Sequence, residues 1–306
     1  MYDIIGDIHG RAAELEALLL QLGYQRHGKG FRHESRKVIF LGDFVDRGPQ
    51  QRRTIEIAQT MVEAGDALAV MGNHEFNAIC FYSPDGKGGF LRARSNDNIN
   101  QHIAFLYEFS CDAVLWNNTI QWFKTLPLWL DLDGFRIIHA CWDRKYIEKI
   151  MTAYDGNYLT EELLTVAAKR GTWEFDAIET LLKGKEIPLP PDYYFSDANG
   201  KKRHEIRVQW WDKGKTYQRA FIGPESARTH IPDDPISGDH LVEYHASDKP
   251  LFLGHYWMEG EPTPLAQNIA CLDYSVATPG GRLVAYRWSG ESMIKSENYA
   301  WINRIE

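Results

Sequence analysis

The stretch "KVIFLGDFVDRGP", Lys37 to Pro49, runs from an apolar segment through Gly42 into Asp43, Asp46 and Arg47. A plain turn accounts for one aspartate beside Gly42 or Gly48, because Asp tolerates turn geometry and bonds its own backbone. It does not account for three charges crowded against a buried strand, since unpaired buried charge is costly. The same arrangement recurs on either side. "YDII" leads into "GDIHG", and "ALAVM" leads into "GNHE". Helical patterning follows: Leu15, Leu18, Leu19 and Leu22 recur at i, i+3, i+4 and i+7. A second helix is expected over Thr54–Ala64, with Ile55, Ala58 and Val62 on one side. Strand, turn and helix in repetition predict βαβ units and a mainly parallel α/β sheet. In such sheets the ligand site lies beyond the carboxyl ends of the strands. Two later turns share this form: "FRIIHACWD" sets His139 after an apolar run, and "PLFLGHYW" does the same for His255.

The 306 residues suffice for one large α/β domain with an insertion, and 44% hydrophobic with 25% charged content is ordinary for a soluble globular chain. No apolar run is long enough to span a bilayer, and "MYDIIGDIHG" lacks the features of a secretory signal. Cys80, Cys111, Cys141 and Cys271 are scattered, without a CxxC pair, which suits reduced thiols and a cytoplasmic location. The net charge of −8 argues against a broad electrostatic footprint for nucleic acid, while leaving room for a local basic groove.

We expect one domain over 1–306 with an insertion or cap at about 154–250, where the texture changes. "TEELLTVAAKRGTWEFDAIETLLKG" is helical in pattern, and a hairpin is expected around Asn199-Gly200. Tyr193, Tyr194, Trp210 and Trp211 beside Lys201, Lys202 and Arg203 fit a base-stacking surface. They fit better an amphipathic hairpin whose aromatics pack on the core. The tail "IACLDYSVATPGGRLVAYRW" predicts two strands joined by a Pro-Gly-Gly turn.

The polar turns together carry the chemistry. Asp7 and His9 stand two apart, so in an extended segment both face one side. Oxygen and imidazole donors together suit borderline divalent ions such as Mn²⁺, Fe²⁺ or Zn²⁺. Asp43, on the neighbouring strand end, is placed to bridge two ions, with Asn73, His139 and His255 completing the protein ligands of the second ion. Two such ions clamp the attacking and leaving oxygens of a phosphoryl displacement and lower the pKa of a bound water. His74, next to Asn73, is then the general acid, Asp46 its orienting carboxylate, and Arg47 a planar fork for phosphate oxygens.

"GDIHG", "GDFVDRG", "GNHE", the "IHA" histidine and the "GH" histidine match, in order, the blocks of the calcineurin-like metallophosphoesterases, which this chain resembles over about 1–145 and 250–290. "VDRG" with "GNHE" resembles the branch holding serine/threonine protein phosphatases and diadenosine tetraphosphatases; the tail is similar to the latter. The resemblance implies a four-layer α-β-β-α sandwich with a dinuclear centre at the carboxyl-terminal strand edge. It assigns Asp7, His9 and Asp43 to one metal, and Asp43, Asn73, His139 and His255 to the other. It likewise implies His74 as acid, Asp46 as its partner and Arg47 as phosphate ligand. The ions expected are two divalent metals, manganese first, with iron, zinc, nickel or cobalt acceptable.

The expected activity is hydrolysis of phosphate esters or anhydrides, foremost of a nucleotide such as a dinucleoside tetraphosphate. Protein phosphatase and nucleic-acid end phosphatase are the alternatives, and a silent phospho-binding module is the non-enzyme one. A second phosphate arginine of the protein phosphatases has no clear counterpart; Arg92 or Arg94 is the candidate. "HACWD" stands where many relatives have "HAG", so Trp142 and Asp143 are expected to shape the pocket differently; Asp143 is either a pocket residue or a helix cap.

Overall fold

The structure is a computed structural model that describes residues 1–196, 202–212, 214, 216–223, 225–236 and 241–306. Its architecture follows from alternation along short buried strands, whose successive side chains point to opposite faces. Ile4, Ile39, Ile137, Phe252, Ala270, Val284 and Tyr286 meet in one apolar layer. Their chain neighbours Ile5, Val38, Phe40, Ile138, Leu251, Leu253, Ile269, Cys271 and Ala285 belong to a second cluster, with Leu15, Leu18, Ile55, Ile150, Leu164 and Leu181 of the helices. The first layer is therefore the space between two sheets, and the second is the pair of surfaces the helices cover. Burying a side chain of this size contributes about 1.5–3 kcal/mol, so the central strands are largely apolar on both faces.

One sheet has the order Asp273–Tyr274, Arg282–Trp288, Tyr2–Ile5, Lys37–Phe40, Ala67–Ala69, with Tyr299–Asn303 also on Arg282–Trp288. The other has the order Ile269–Cys271, Leu251–Leu253, Arg136–Ile138, Trp129–Asp131. Both are mixed, where the sequence pattern predicts a mainly parallel sheet. Tyr2–Ile5, Lys37–Phe40 and Ala67–Ala69 are parallel, but Arg282–Trp288 runs antiparallel to Tyr2–Ile5. The tail returns through the turn at Gly280 (φ +78°), and so tight a connection joins only antiparallel neighbours. Its two expected strands are there, yet Ile269–Cys271 pairs in one sheet and Asp273–Tyr274 in the other.

Register positions the site. Ile5 lies opposite Phe40, and Phe40 opposite Ala69, so three strands end level and release their polar turns together. In the second sheet Phe252 lies opposite Ile137, and the Gly254 N–H donates to the His139 carbonyl at 2.8 Å, which brings the two histidine turns side by side. The expected helices form over Ala12–Gln21 and Gln51–Glu63. Glu161–Ala167 and Trp173–Lys183 are separated at Gly171 (φ +88°), and Thr160 and Thr172 cap their first turns.

Those two helices contribute Leu163, Leu164, Ile178 and Leu181 to the main core. Beyond them Ile187, Leu189, Ile206, Val208, Phe221 and Ile231 close a small core of their own. Phe195–Ser196 pairs with Lys202–Arg203, and Glu186–Pro188 with Glu205–Arg207, as a hairpin here predicts; the Asn199-Gly200 turn and Lys201 lie outside the described residues. The aromatics divide. Trp210 is buried, and its indole N–H reaches the Ala140 carbonyl at 3.2 Å and the Tyr256 hydroxyl at 3.0 Å. Tyr193 and Tyr194 are exposed, and Lys202 lies 4.0 Å from the ring centre of Tyr194.

Candidate metal and catalytic site

Three of the five polar turns set their side chains by an unusual backbone. Among the described residues, six of the nine non-glycine positions with positive φ are His9, Asp43, Asp46, Arg47, His255 and Trp257. Such conformations cost of order 1–3 kcal/mol each and persist where surrounding bonds over-determine them. The bonds are visible. Glu75, fully buried, accepts from the backbone N–H groups of Asp43 (2.7 Å), Phe44 (2.9 Å) and Gly72 (3.0 Å), bracing the two turns against each other. Burial and the charge of Asp43 raise its pKa to about 7. Gln51 does the same for the arginine turn, accepting from the Asp46 N–H at 2.7 Å and donating to the Gly48 carbonyl at 2.6 Å.

Asp43 is central. One oxygen accepts from the His74 N–H at 2.9 Å and lies 3.5 Å from His139 Nε2. The other lies 3.7 Å from His9 Nε2 and 3.8 Å from His74 Nε2. Burial pushes the Asp43 carboxyl up, yet His139 and His74 beside it hold it well below the usual carboxylate range. Asn73 Oδ1 lies 3.1 Å from His139 Nε2 and 2.8 Å from His255 Nδ1. His9 and His139 are oriented through Nδ1, which donates to the Val45 carbonyl (2.8 Å) and the Leu41 carbonyl (2.7 Å). Their Nε2 atoms are left aimed inward. Asp7 accepts the His255 N–H at 3.1 Å through Oδ2. Burial and the nearby Asp273 push its pKa well above the ordinary value.

Buried polar atoms normally find partners. Here Asp7 Oδ1, His9 Nε2 and His255 Nε2 are buried with none. Two groups, His9–Asp43–His74 and Asp43–His139–His255, each bring ligand-capable atoms within 4.8 Å of one another and share Asp43. A Cβ on Gly254 would come 2.0 Å from Asp7 Oδ1, and one on Gly72 2.2 Å from Asp43 Oδ1. Glycine at both positions keeps room beside the carboxylates. Unpaired donors, mixed N and O chemistry and a shared carboxylate fit divalent cations.

His74 Nδ1 lies 2.5 Å from Asp46 Oδ2. Burial lowers its pKa, but Asp43 and Asp46 outweigh this and the net direction is up. The exposed Arg47 guanidinium stacks on Trp257 at 4.0 Å from the ring centre, within reach of the charges of Asp273, Asp43 and Asp7. Asp273, also buried, accepts from the Trp257 and Ser275 N–H groups, both at 2.9 Å. Arg92 lines a polar cavity with His74 and Asp46, bonded to Asn77 and Gln101. Arg94 instead stacks on Phe90 at 3.4 Å. Asp143 caps the helix Arg144–Tyr154 through the Lys145 N–H at 3.0 Å, and Trp142 is buried in the core.

Sequence reasoning brought the turn residues to one place but missed four others. Glu75 stands within "GNHE" without a role assigned, and Asp273 within the tail. Trp257 carries no pattern of its own. His102, whose Nδ1 lies 2.6 Å from Asp46 Oδ1, follows neither a strand nor a glycine turn.

A two-sheet sandwich with these donors at its strand ends defines a metal-dependent phosphoester hydrolase. The chain belongs to the calcineurin-like phosphoesterases, whose family model matches residues 2–245. It is 33% identical over 148 residues to the bis(5'-nucleosyl)-tetraphosphatase PrpE [asymmetrical] of Geobacillus sp. (strain WCH70), covering 47% of this chain and 59% of that one. With the protein of the same description from Bacillus subtilis (strain 168) it shares 42% over 74 residues, 24% of this chain and 30% of the other. The chain thus spans under two thirds of the length of these relatives. In fold it is similar to a cold-active protein-tyrosine phosphatase of a Shewanella species (TM-score 0.52, 15% identity, 93% of this chain and 74% of that one). It is also similar to a protein serine/threonine phosphatase of Saccharomyces cerevisiae (TM-score 0.51, 13% identity, 100% and 80%). Among the described residues no helix is long and apolar enough to cross a membrane.

Proposed function

We propose that this phosphoester hydrolase acts on a nucleotide polyphosphate, cleaving a phosphoanhydride of a dinucleoside tetraphosphate into a mono- and a triphosphate. The activity for which the tetraphosphatase relatives are named supports the substrate. The observation that carries the chemistry is the convergence of Asp7, His9, Asp43, Asn73, His139 and His255 with inward polar atoms left unpaired. Asp7, His9 and Asp43 would hold one divalent ion, and Asp43, Asn73, His139 and His255 the second, with manganese the first choice. Bound there, the ions supply Lewis acidity and an activated water.

The chain's own groups do the rest. Arg47 offers a bidentate fork to phosphoryl oxygens, fixed by its stack on Trp257. The Nδ1–H of His74 is held by Asp46, which leaves Nε2 to carry the proton for the departing oxygen. Arg92, beside His74 in the cavity, is the better placed of the two candidate arginines to meet a further phosphate. We also infer that the chain is one catalytic domain in which the segment of about 154–250 is an insertion on the core.

Manganese-loaded protein should be offered p-nitrophenyl phosphate, diadenosine tetraphosphate, a phosphopeptide and a 3′-phosphorylated oligonucleotide, with His74→Asn as control. Mono- and triphosphate products from the tetraphosphate, lost in the control, are the expected result. Turnover of the phosphopeptide or oligonucleotide alone would overturn the substrate while keeping the chemistry.

A further inference from the structure

Asp46 has two oxygens, and each is occupied by an imidazole. Oδ2 lies 2.5 Å from His74 Nδ1, and Oδ1 lies 2.6 Å from His102 Nδ1. An ionised carboxylate only accepts, so both Nδ1 atoms carry hydrogen and both donate. Burial pushes the Asp46 carboxyl up, but His102 and His74 together hold it well below the ordinary range. His102 is itself fixed. It is 4% exposed at the junction of the helices Asn96–Gln101 and Ile103–Phe109. Its ring stacks on Phe105 (4.6 Å, 22°), with Phe81 at 5.5 Å. Nothing about that packing requires a histidine; an apolar ring would fill the same space. A buried polar side chain that gives its one bond to the carboxylate behind His74 has a cost of burial to offset.

We propose that His102 is a positioning residue for the acid. It anchors one oxygen of Asp46, so that the other stays in the plane and at the distance that hold the Nδ1–H of the His74 imidazolium and leave its Nε2–H facing the leaving oxygen. His102 acts through Asp46. This rests on the reading of His74 as the acid. The helical pair is thereby tied to a turn 56 residues earlier in the chain. The proton path balances: the His74 imidazolium gives its Nε2 proton to the departing oxygen, is left as the neutral Nδ1–H tautomer and regains a proton from solvent, while both Nδ1–H bonds stay intact.

The test is the dependence of kcat on leaving-group pKa over a series of aryl phosphates, from p-nitrophenyl to phenyl, in manganese-loaded protein. Good leaving groups depart unprotonated, so loss of the acid steepens the dependence. His74→Asn should lose of order 10²–10⁴-fold on phenyl phosphate and far less on p-nitrophenyl phosphate. His102→Leu should show the same bias with a smaller loss, about tenfold on phenyl phosphate. His102→Asn, which keeps an N–H near the Nδ1 position, should recover most of it, whereas His102→Gln, whose N–H is displaced, should not. If His102→Leu does not melt cooperatively, the Asn and Gln pair decides alone. In metal-free protein, at a pH where His74 is neutral, ¹⁵N shifts should report a single Nδ1–H tautomer of His74, and a mixture in His102→Gln. A loss uniform across the series, or no loss, or an unchanged His74 tautomer would overturn the proposal. A His74→Asn variant with the wild-type slope would instead overturn the acid reading on which it rests.

Discussion

Trp257 shows how one side chain at the rim can govern the site. It is 48% exposed, holds φ at +51° and lies under the Arg47 guanidinium, with its N–H tied to the buried Asp273. An exposed cation–π contact of this kind is worth about 0.5–1 kcal/mol. Trp257→Ala should therefore raise KM for a phosphate substrate about two- to fivefold, leaving kcat within about twofold. Steady-state kinetics on p-nitrophenyl phosphate measure this; a kcat effect larger than the KM effect would mean the ring does more than hold Arg47. Gly254 makes the complementary point about space. A Cβ there would meet Asp7 Oδ1 at 2.0 Å, so Gly254→Ala should displace the carboxylate and lower the manganese retained after gel filtration. Elemental analysis of a variant with an unchanged circular dichroism spectrum is the check, and full retention would remove Asp7 from the ligand set.

Short elements meet at the site because buried polar groups brace their ends. Glu75, in the first turn of the helix Asn73–Tyr82, reaches back to three backbone N–H groups of two different turns. Glu75→Gln keeps the shape but trades one acceptor oxygen for an NH₂ group, leaving donors facing donors. Each buried group so stranded costs about 1–3 kcal/mol. The variant should melt several degrees lower by calorimetry and retain less metal. A melting temperature unchanged within a degree would show that the carboxylate is dispensable to the turns.

Across the whole molecule, the segment 186–236 is joined to the strand ends that carry His139 and His255 through Trp210. Its indole sits behind Ala140 and Tyr256, the residues that follow His139 and His255. Removing a fully buried tryptophan costs about 3–5 kcal/mol. Trp210→Ala should destabilise the fold by that order in urea unfolding and make the segment 186–236 cleave first under limited proteolysis. Cleavage spread evenly over the chain would argue that this segment is held elsewhere.

The polar turns were legible in the sequence because their determinants are local. An apolar run, a glycine and a set of donors state a strand end without reference to the rest of the chain, and the leucine spacing of Ala12–Gln21 states a helix in the same way. The sorting of the strands into two mixed sheets was not legible. Ile269–Cys271 and Asp273–Tyr274 read as one continuous run, and only the packing of both sheets sends them apart. The second partner of Asp46 and the indole behind the histidine turns were out of reach for the same reason. His102 is 56 residues from Asp46, and Trp210 is 70 from Ala140. Periodicity encodes which face a residue presents, whereas the identity of what meets that face is set by long-range packing, and that the tertiary structure alone decided.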